Sequence, residues 1–328
     1  RQPRDLYLFV WAYVAGCAFL VYISMFTFTL QQAGGMMRLG NLYMYDANDL
    51  GVVLSAGIPL CVVLFRNSGK WGRVFSGLVL LGIGASLARS GSRGGFLGLL
   101  AVGIALLLLL RNVSVVKRVA VLAVLAAGLF FTAPEGYWDQ MRSLTEPTED
   151  YNWTSPYGRK AVAERGLDYM LSHPVLGVGV GNFQRAEGLL AEESRERARM
   201  GAGYRWTAAH NSFIQVGAEL GISGLLLFCA LVFGPIVGLT RLRRRMSRAW
   251  RRAGPERKFL YDMTMFLPVS LVGFAVAGFF VSFAYHDILY VLTLFVAGTY
   301  LCVRRLVRTS RQPAPRRGAS GRSPVRGR

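Results

Sequence analysis

The chain has 328 residues, of which 53% are hydrophobic and only 17% are charged. A typical soluble domain carries about 25% charged residues, so this composition argues against a soluble protein. The apolar residues fall into separate blocks of about 16 to 21 residues, the length that a helix needs to cross a hydrocarbon core of roughly 30 Å. We therefore predict an all-α polytopic transmembrane helical bundle.

The formal net charge of +20 is concentrated in two stretches. Residues 241–258 carry nine Lys and Arg and one acid, and residues 304–328 carry nine Arg and no acid. Both stretches flank hydrophobic blocks, which is the pattern of the positive-inside rule. No recognisable nucleic-acid-binding module accompanies the bases, so no nucleic-acid partner is predicted.

Eight hydrophobic blocks are predicted to span the membrane. They cover approximately residues 6–26, 50–65, 74–88, 94–110, 115–131, 211–240, 263–284 and 288–303, and the third and the last are short. The chain thereby divides into five spans within 1–131, a large polar loop over 132–209, three spans within 210–303 and a basic tail over 304–328.

The short basic loops agree on one orientation of these spans. If the Arg-rich tail is cytoplasmic, alternation places every other short basic segment on that side as well. Those segments contain Arg1 and Arg4, then Arg66, Lys70 and Arg73, and then Arg111, Lys117 and Arg118. We therefore expect both ends of this chain in the cytoplasm and the loop 132–209 on the other face.

The first outer segment, residues 27–49, contains the polar residues Arg38, Asp46 and Asn48 in MRLGNLYMYDANDLG. These residues either contact a substrate or form a turn with a capped helix entry at Asp49. Both interpretations stay open.

Two arginines follow on the same face. Arg93 lies in ARSGSRGGF, where Ser90 and Ser92 are possible helix caps and Gly94 and Gly95 permit close backbone approach, and Arg159 lies in SPYGRKAV. Guanidinium groups bind phosphate oxygens bidentately, so two of them near a helix N-terminus suit a diphosphate. The alternative is that Arg93 snorkels to the interface and Arg159 forms a surface salt bridge.

The large loop is predicted to contain a small helical subdomain. Residues 157–172 have a helical period, with Ala163, Leu167 and Leu171 four residues apart and Pro174 as a stop. After this helix, HPVLGVGVGNF contains three glycines, at residues 177, 179 and 181. They either cradle a phosphate or sugar, with Gly179 central, or make a tight connection that shapes the loop.

His210 and Asn211 lie where the polar loop turns into an apolar helix, in AAHNSFIQVGAELGISG. An imidazole with a pKa near 6.5 at a membrane surface can take a proton from a hydroxyl nucleophile. In the alternative, Asn211 caps the helix and His210 is an interfacial histidine. The other histidines, His173 and His286, are too far away in the sequence to complete a metal-ligand set, so no metal site is predicted. For His286, beside Asp287 in the final outer turn, an interfacial role is preferred.

Three motifs in this order resemble the O-antigen ligase and polymerase superfamily of bacterial inner-membrane proteins. They are SRGG, GR followed by HPVLGVGVGNF, and HNSFIQVGAELGISG. The last motif is similar to the ligase signature, a His-Asn pair, nine residues, a glycine, two residues and a second glycine. The separations, about 66 residues from Arg93 to Arg159 and about 51 from Arg159 to His210, also resemble the family pattern. The resemblance covers about residues 85–240.

The resemblance implies glycosyl transfer on the periplasmic face, without a metal or other cofactor, from an undecaprenyl-diphosphate-linked saccharide to a sugar hydroxyl of lipid A-core or of a growing saccharide. Arg93 and Arg159 would bind and neutralise the diphosphate leaving group, and His210 would activate or orient the acceptor. The substrate contacts expected in addition are Arg38, Asp46, Asn48, Asn211 and Gly179.

Three functions stay open on the sequence. A ligase would attach a finished polysaccharide to lipid A-core, a repeat-unit polymerase would use a second carrier-linked saccharide as acceptor, and a transporter would move the lipid-linked saccharide without breaking a bond. The ligase is preferred to the polymerase because of the His motif. The transporter is disfavoured because no predicted span carries an ionisable residue at mid-depth. Family members usually have about a dozen spans, so we expect N-terminal spans to be missing from this sequence.

Overall fold

The computed structural model describes residues 2–33, 36–40, 45–109, 114–146 and 151–309. Arg1, Arg111 and residues 310–328 of the basic tail, which we predict to be cytoplasmic, lie outside the described residues.

Eight long apolar helices form the body of the protein. Five precede the large loop: α1 (Pro3–Tyr22), α2 (Ala47–Asn67), α3 (Lys70–Ser90), α4 (Arg93–Leu109) and α5 (Val115–Thr132). Five short helices lie in the loop: α6 (Tyr137–Arg142), α7 (Tyr151–Thr154), α8 (Arg159–Ser172), α9 (Phe183–Leu190) and α10 (Glu192–Arg199). Three long helices follow: α11 (Ser212–Arg245), α12 (Pro255–Gly278) and α13 (Asp287–Thr309).

The eight predicted spans each coincide with one of the long helices. Seven of the helices in the described residues are long and apolar enough to cross a membrane, α1 being extended by a π-helical turn to Thr27, and α4 is a shorter apolar helix. The predicted all-α polytopic bundle is therefore confirmed. A small β-hairpin was not predicted: β1 (Leu30–Ala33) pairs with β2 (Met36–Leu39) in antiparallel register.

Several helix boundaries differ from the prediction. The spans predicted to be short belong to helices of 21 and 23 residues, α3 and α13. More importantly, α12 covers Pro255–Gly278, whereas hydropathy predicted a span over 263–284. Residues 279–284 are as apolar as the helix before them, so hydropathy alone does not reveal that the helix ends at Gly278.

The helices alternate in direction, as the span order requires. Arg66 near the end of α2 binds Asp262 near the start of α12, with Nε–Oδ2 and Nη2–Oδ1 distances of 3.0 Å each. Ser24, just beyond α1, is hydrogen-bonded to Ser86 near the end of α3, at 2.7 Å. We call the end where α1, α3, α5 and α12 begin the basic end, and the opposite one, where α2, α4, α11 and α13 begin, the loop end.

Helices α2 and α12 form the centre of the bundle. In the most apolar part of each helix, 83% of the residues of α2 and 89% of those of α12 are buried. The corresponding values are 17% for α11 and 22% for α5. A helix that is apolar on all sides is stable in such a central position, and the exposed apolar faces of α5 and α11 suit contact with lipid.

The predicted helix in residues 157–172 is confirmed as α8, but its buried face differs from the stripe read in the sequence. Leu167 and Leu171 are exposed, whereas Val162, Gly166 and Tyr169 are buried. Gly166 lies where a Cβ would come within 2.4 Å of the Ile214 side chain, so α8 packs directly against α11.

Candidate functional site

A short segment between α12 and α13, residues 279–286, organises the loop end, and we call it the joining loop. Ser212, the first residue of α11, fixes it with two hydrogen bonds: its Oγ donates to Val281 O at 2.8 Å and accepts from Phe283 N at 3.0 Å. The joining loop is thereby bound to the start of α11.

The joining loop brings the three predicted catalytic residues together. The backbone N–H of His210 donates to Ser282 Oγ at 2.8 Å, and Arg159 Nη1 donates to Phe280 O at 3.4 Å. Gly94, which follows Arg93, lies so close that a Cβ on it would be 2.7 Å from Phe280 Cβ. Residues 280 and 282 are at most about 7 Å apart along the chain, so His210, Arg159 and the residue after Arg93 all contact one small segment.

The start of α4 is positioned by a cap and by close helix contact. Ser92 Oγ accepts from Gly95 N at 3.0 Å, and a Cβ on Gly51 of α2 would lie 2.8 Å from Gly95 Cα. The predicted cap and the predicted close approach are therefore confirmed. The half-buried Arg93 donates from Nη1 to Ser143 Oγ at 2.9 Å, which ties it to the residue after α6.

Asp46 has both a structural and an electrostatic role. Its Oδ1 accepts from Asn48 N at 2.6 Å and from Asp49 N at 2.8 Å, so a capped helix entry is present, but the cap is Asp46 and not Asp49. Its charge also acts on Arg38 of β2: burial lowers the pKa of Arg38, Asp46 raises it and Arg93 lowers it. Arg38 and Asp46 therefore belong to the same electrostatic cluster as Arg93.

His210 lies in this cluster in its neutral form. Burial lowers the pKa of the imidazole below its ordinary value of 6.5, the charge of Arg159 lowers it further, and Asp46 opposes them. A neutral imidazole at neutral pH has a free nitrogen lone pair and can accept a proton. The next residue, Asn211, caps α11 by accepting from Phe213 N at 2.9 Å and Ile214 N at 3.1 Å, as one of the two interpretations predicted.

The glycine-rich segment after α8 packs against a break in α11. Val178 N donates to Ala218 O at 2.8 Å and Gly179 N donates to Glu219 O at 3.0 Å. Gly177 has a φ of 63°, and a Cβ there would lie 2.3 Å from the Glu219 carbonyl carbon. These contacts favour the interpretation that Gly177 and Gly179 make a tight connection. The backbone N–H of Gly179 is already hydrogen-bonded to Glu219.

The break itself is at Gly221, where φ is 71° and the helix is interrupted. Pro174 O accepts from Ile222 N at 2.7 Å, so the freed backbone is satisfied by the glycine-rich segment. Glu219, buried two residues earlier, accepts from Gly181 N and Phe183 N at 3.0 Å each and holds the start of α9. Gly221 of the HNSFIQVGAELGISG motif is thus explained by how the large loop packs against α11.

His286 lies beside the cluster in an aromatic group. Its ring stacks on Phe283 with centroids 4.1 Å apart, and Tyr45 lies 5.2 Å away. Asp287 begins α13 next to it. Three contact residues were not predicted: Ser143, Phe280 and Ser282. They are uncharged, and the last two fall within the span predicted for residues 263–284, so no pattern in the sequence singles them out.

One comparison with known proteins gives a match. A family model described as O-antigen ligase matches residues 77–229, a range that includes Arg93, Arg159 and His210. No curated protein matches the chain.

Proposed function

We propose a specific reaction on the premise that the chain belongs to the O-antigen ligase superfamily, whose family model matches residues 77–229. Membership makes the protein a membrane glycosyltransferase of the ligase or polymerase type. Our proposal is the ligase reaction, in which a polysaccharide passes from undecaprenyl diphosphate to a sugar hydroxyl of lipid A-core.

The observation that carries the proposal is that Arg159, His210 and Gly94, the neighbour of Arg93, all contact residues 280–282. In the transfer, the bond between the anomeric carbon and the diphosphate oxygen breaks and its electron pair stays on the diphosphate. The acceptor oxygen forms the new bond to the anomeric carbon and loses its proton. The site must therefore stabilise a departing anion and receive a proton.

Arg93 and Arg159 are the groups that we assign to the departing diphosphate, with Arg38 as a third cation in the same cluster. Fixed cations directed at developing negative charge are among the largest sources of catalysis. In this proposal the arginines supply the positive charge that a metal ion provides in other phosphate-leaving reactions.

His210 is the group that we assign to the acceptor hydroxyl, as base or as orienting residue. Its lowered pKa keeps the imidazole neutral and able to accept the proton. Asn48, Asn211 and Gly179 remain predicted substrate contacts, although each already makes a hydrogen bond within the protein.

The charge distribution supports an inner-membrane protein whose loop end faces the periplasm. The loop between α11 and α12 and the end of α13 both carry arginine-rich sequence at the basic end, and such loops stay in the cytoplasm. The reaction would therefore take place on the periplasmic side, where the large loop covers the membrane bundle.

The lipopolysaccharide profile of a deletion strain tests this proposal. The strain is complemented with the intact protein or with His210→Ala, and membrane levels of both are matched. For a ligase we expect bare core with polymer accumulating on the carrier in the deletion strain, rescue by the intact protein, and no rescue by His210→Ala. Core bearing a single repeat would instead identify the polymerase, and an unchanged profile would contradict both. Rescue by His210→Ala would remove the role assigned to His210.

A further inference from the structure

A cavity of about 550 Å³ lies at the basic end of the bundle, far along the helices from the site described above. This volume is within the range of about 300–1,000 Å³ typical of ligand pockets. Its walls are apolar and include the buried side chains of Val62, Leu80, Leu106 and Phe266. Apolar walls of this kind suit hydrocarbon.

Five bases line the same cavity: Arg66, Arg73, Lys117, Arg118 and Lys258. They come from four helices, so the fold and not the local sequence brings them together. Within the described part of the chain, the carboxylate that pairs with them is Asp262, which binds Arg66 at 3.0 Å. The cavity therefore combines apolar walls with a clear excess of positive charge.

The bases are only partly engaged by the protein. Lys258 donates to Asn67 Oδ1 at 3.3 Å, and Arg73 Nε donates to Ser68 O at 3.1 Å. Arg118 donates from Nη1 to Leu107 O, but its Nε is buried and no hydrogen-bond partner for it occurs among the described residues. A buried guanidinium N–H without a partner is costly, and an anionic oxygen in the cavity would satisfy it.

An apolar groove opens from this cavity toward the outer surface of the bundle. The groove shares Phe65, Arg73, Gly77 and Val124 with the cavity and continues along α3 and α5. Its side chains on α3 include the exposed Leu78 and Leu81. A molecule in the cavity can therefore extend a hydrocarbon chain into the surrounding bilayer.

We propose that this basic cavity binds an anionic glycerophospholipid, with its phosphate among Lys117, Arg118 and Arg73 and an acyl chain in the groove. Basic pockets between membrane helices are suited to such headgroups, because the anionic phosphate gains several charge-assisted hydrogen bonds. The site is separate from the glycosyl-transfer site and does not depend on the function proposed for it.

Native mass spectrometry of the detergent-purified full chain tests the proposal. Phosphatidylglycerol and phosphatidylcholine are added at equal concentration, and lipid adducts are counted. We expect at least tenfold more phosphatidylglycerol than phosphatidylcholine bound at one site. Equal occupancy by the two lipids would overturn the proposal, as would preferential binding of undecaprenyl phosphate when it is added in competition.

Three variants locate the binding. The double variant Lys117→Gln, Arg118→Gln should lose about tenfold in phosphatidylglycerol occupancy, whereas Arg244→Gln, Arg245→Gln removes two exposed bases of α11 outside the cavity and should lose none. Equal losses would indicate general surface charge and contradict a site. Gly77→Leu keeps every base and places a bulky side chain where the cavity and the groove meet, since nothing lies within 4 Å of a Cβ there, and it should also lose the lipid. Undiminished binding by Gly77→Leu would contradict the assignment of the acyl chain.

Discussion

At the scale of single residues, His210 has a backbone conformation that few side chains adopt. Its φ of 49° is the one positive value among the described non-glycine residues. Such a conformation costs about 1–3 kcal/mol and persists only where neighbouring contacts enforce it. The hydrogen bond to Ser282 and the Asn211 cap are those contacts. The backbone of His210 is thereby held in place by hydrogen bonds within the protein.

Ser282→Ala should therefore reduce transfer although it leaves all charges intact. The N–H of His210 would lose its acceptor, and we expect turnover to fall about tenfold, which corresponds to about 1.4 kcal/mol. Ser282→Thr keeps the hydroxyl and should restore most of the activity. Initial rates of the purified variants at saturating donor measure this effect. Equal rates for Ser282→Ala and the unaltered protein would show that the hydrogen bond does not position His210.

The pH dependence of transfer should report the charges around His210. The imidazole must be neutral to accept a proton, so activity is lost as the pH falls through its pKa, which burial and Arg159 place below the ordinary value. Asp46→Asn removes the charge that raises this pKa. The acid limb of the pH–activity profile, where activity is lost at low pH, should therefore move to lower pH. Asparagine still caps α2, so the helix start is preserved.

Asp49→Asn is the matched control for this pH profile. Asp49 is a neighbouring carboxylate that has no resolved influence on the pKa of His210. The acid limb of the Asp49→Asn profile should lie at the same pH as that of the unaltered protein. An acid limb that does not move in Asp46→Asn, or that moves equally in both variants, would contradict the assignment of the limb to His210.

At the scale of secondary-structure elements, the break in α11 determines how the large loop is seated on the membrane bundle. The loop backbone satisfies the groups that the break exposes, through the hydrogen bonds to Ala218, Glu219 and Ile222. Irregular backbone near a membrane requires such internal partners. The same docking of the loop packs α8 against α11. It also brings Arg159, at the start of α8, into contact with the joining loop.

Gly177→Ala should separate the loop from α11. A Cβ would lie 2.3–2.4 Å from backbone atoms of residues 218 and 219, and φ is positive, so the segment must move. Gly181→Ala provides the control, because its φ is also positive but its Cβ has free space, which leaves only a conformational cost of about 1–2 kcal/mol. Limited proteolysis should cut the loop of Gly177→Ala much faster than that of Gly181→Ala. Equal protection of the two would contradict the docking.

The elements differ in how far the sequence could predict them. The spans, α8 and the helix caps at Ser92 and Asn211 follow from hydropathy, period and capping chemistry, which are local. The joining loop does not, because FFVSFA after Gly278 is as apolar as a span and its end is determined by hydrogen bonds to Ser212 and His210. Arg159 and the residue after Arg93 both contact that loop, so their approach to one segment could not be predicted from local pattern.

At the scale of the whole molecule, alternating helices separate two chemically different ends. The loop end collects Arg38, Arg93, Arg159 and His210, and the basic end carries arginine-rich sequence at the end of α11. The alternation and the charge bias were predictable from the sequence. The basic cavity was not, since its five bases come from segments distant in the chain.

We propose that Arg93 and Arg159 bind the same diphosphate. The turnover of Arg93→Lys, Arg159→Lys and the double variant with a carrier-linked donor tests this proposal. Lysine keeps the charge but loses the bidentate fork, so each single variant should lose at least tenfold. Groups that act on one ligand are non-additive, so the double variant should lose clearly less than the product of the single losses. Losses that multiply, or full activity of either single variant, would contradict a shared diphosphate site.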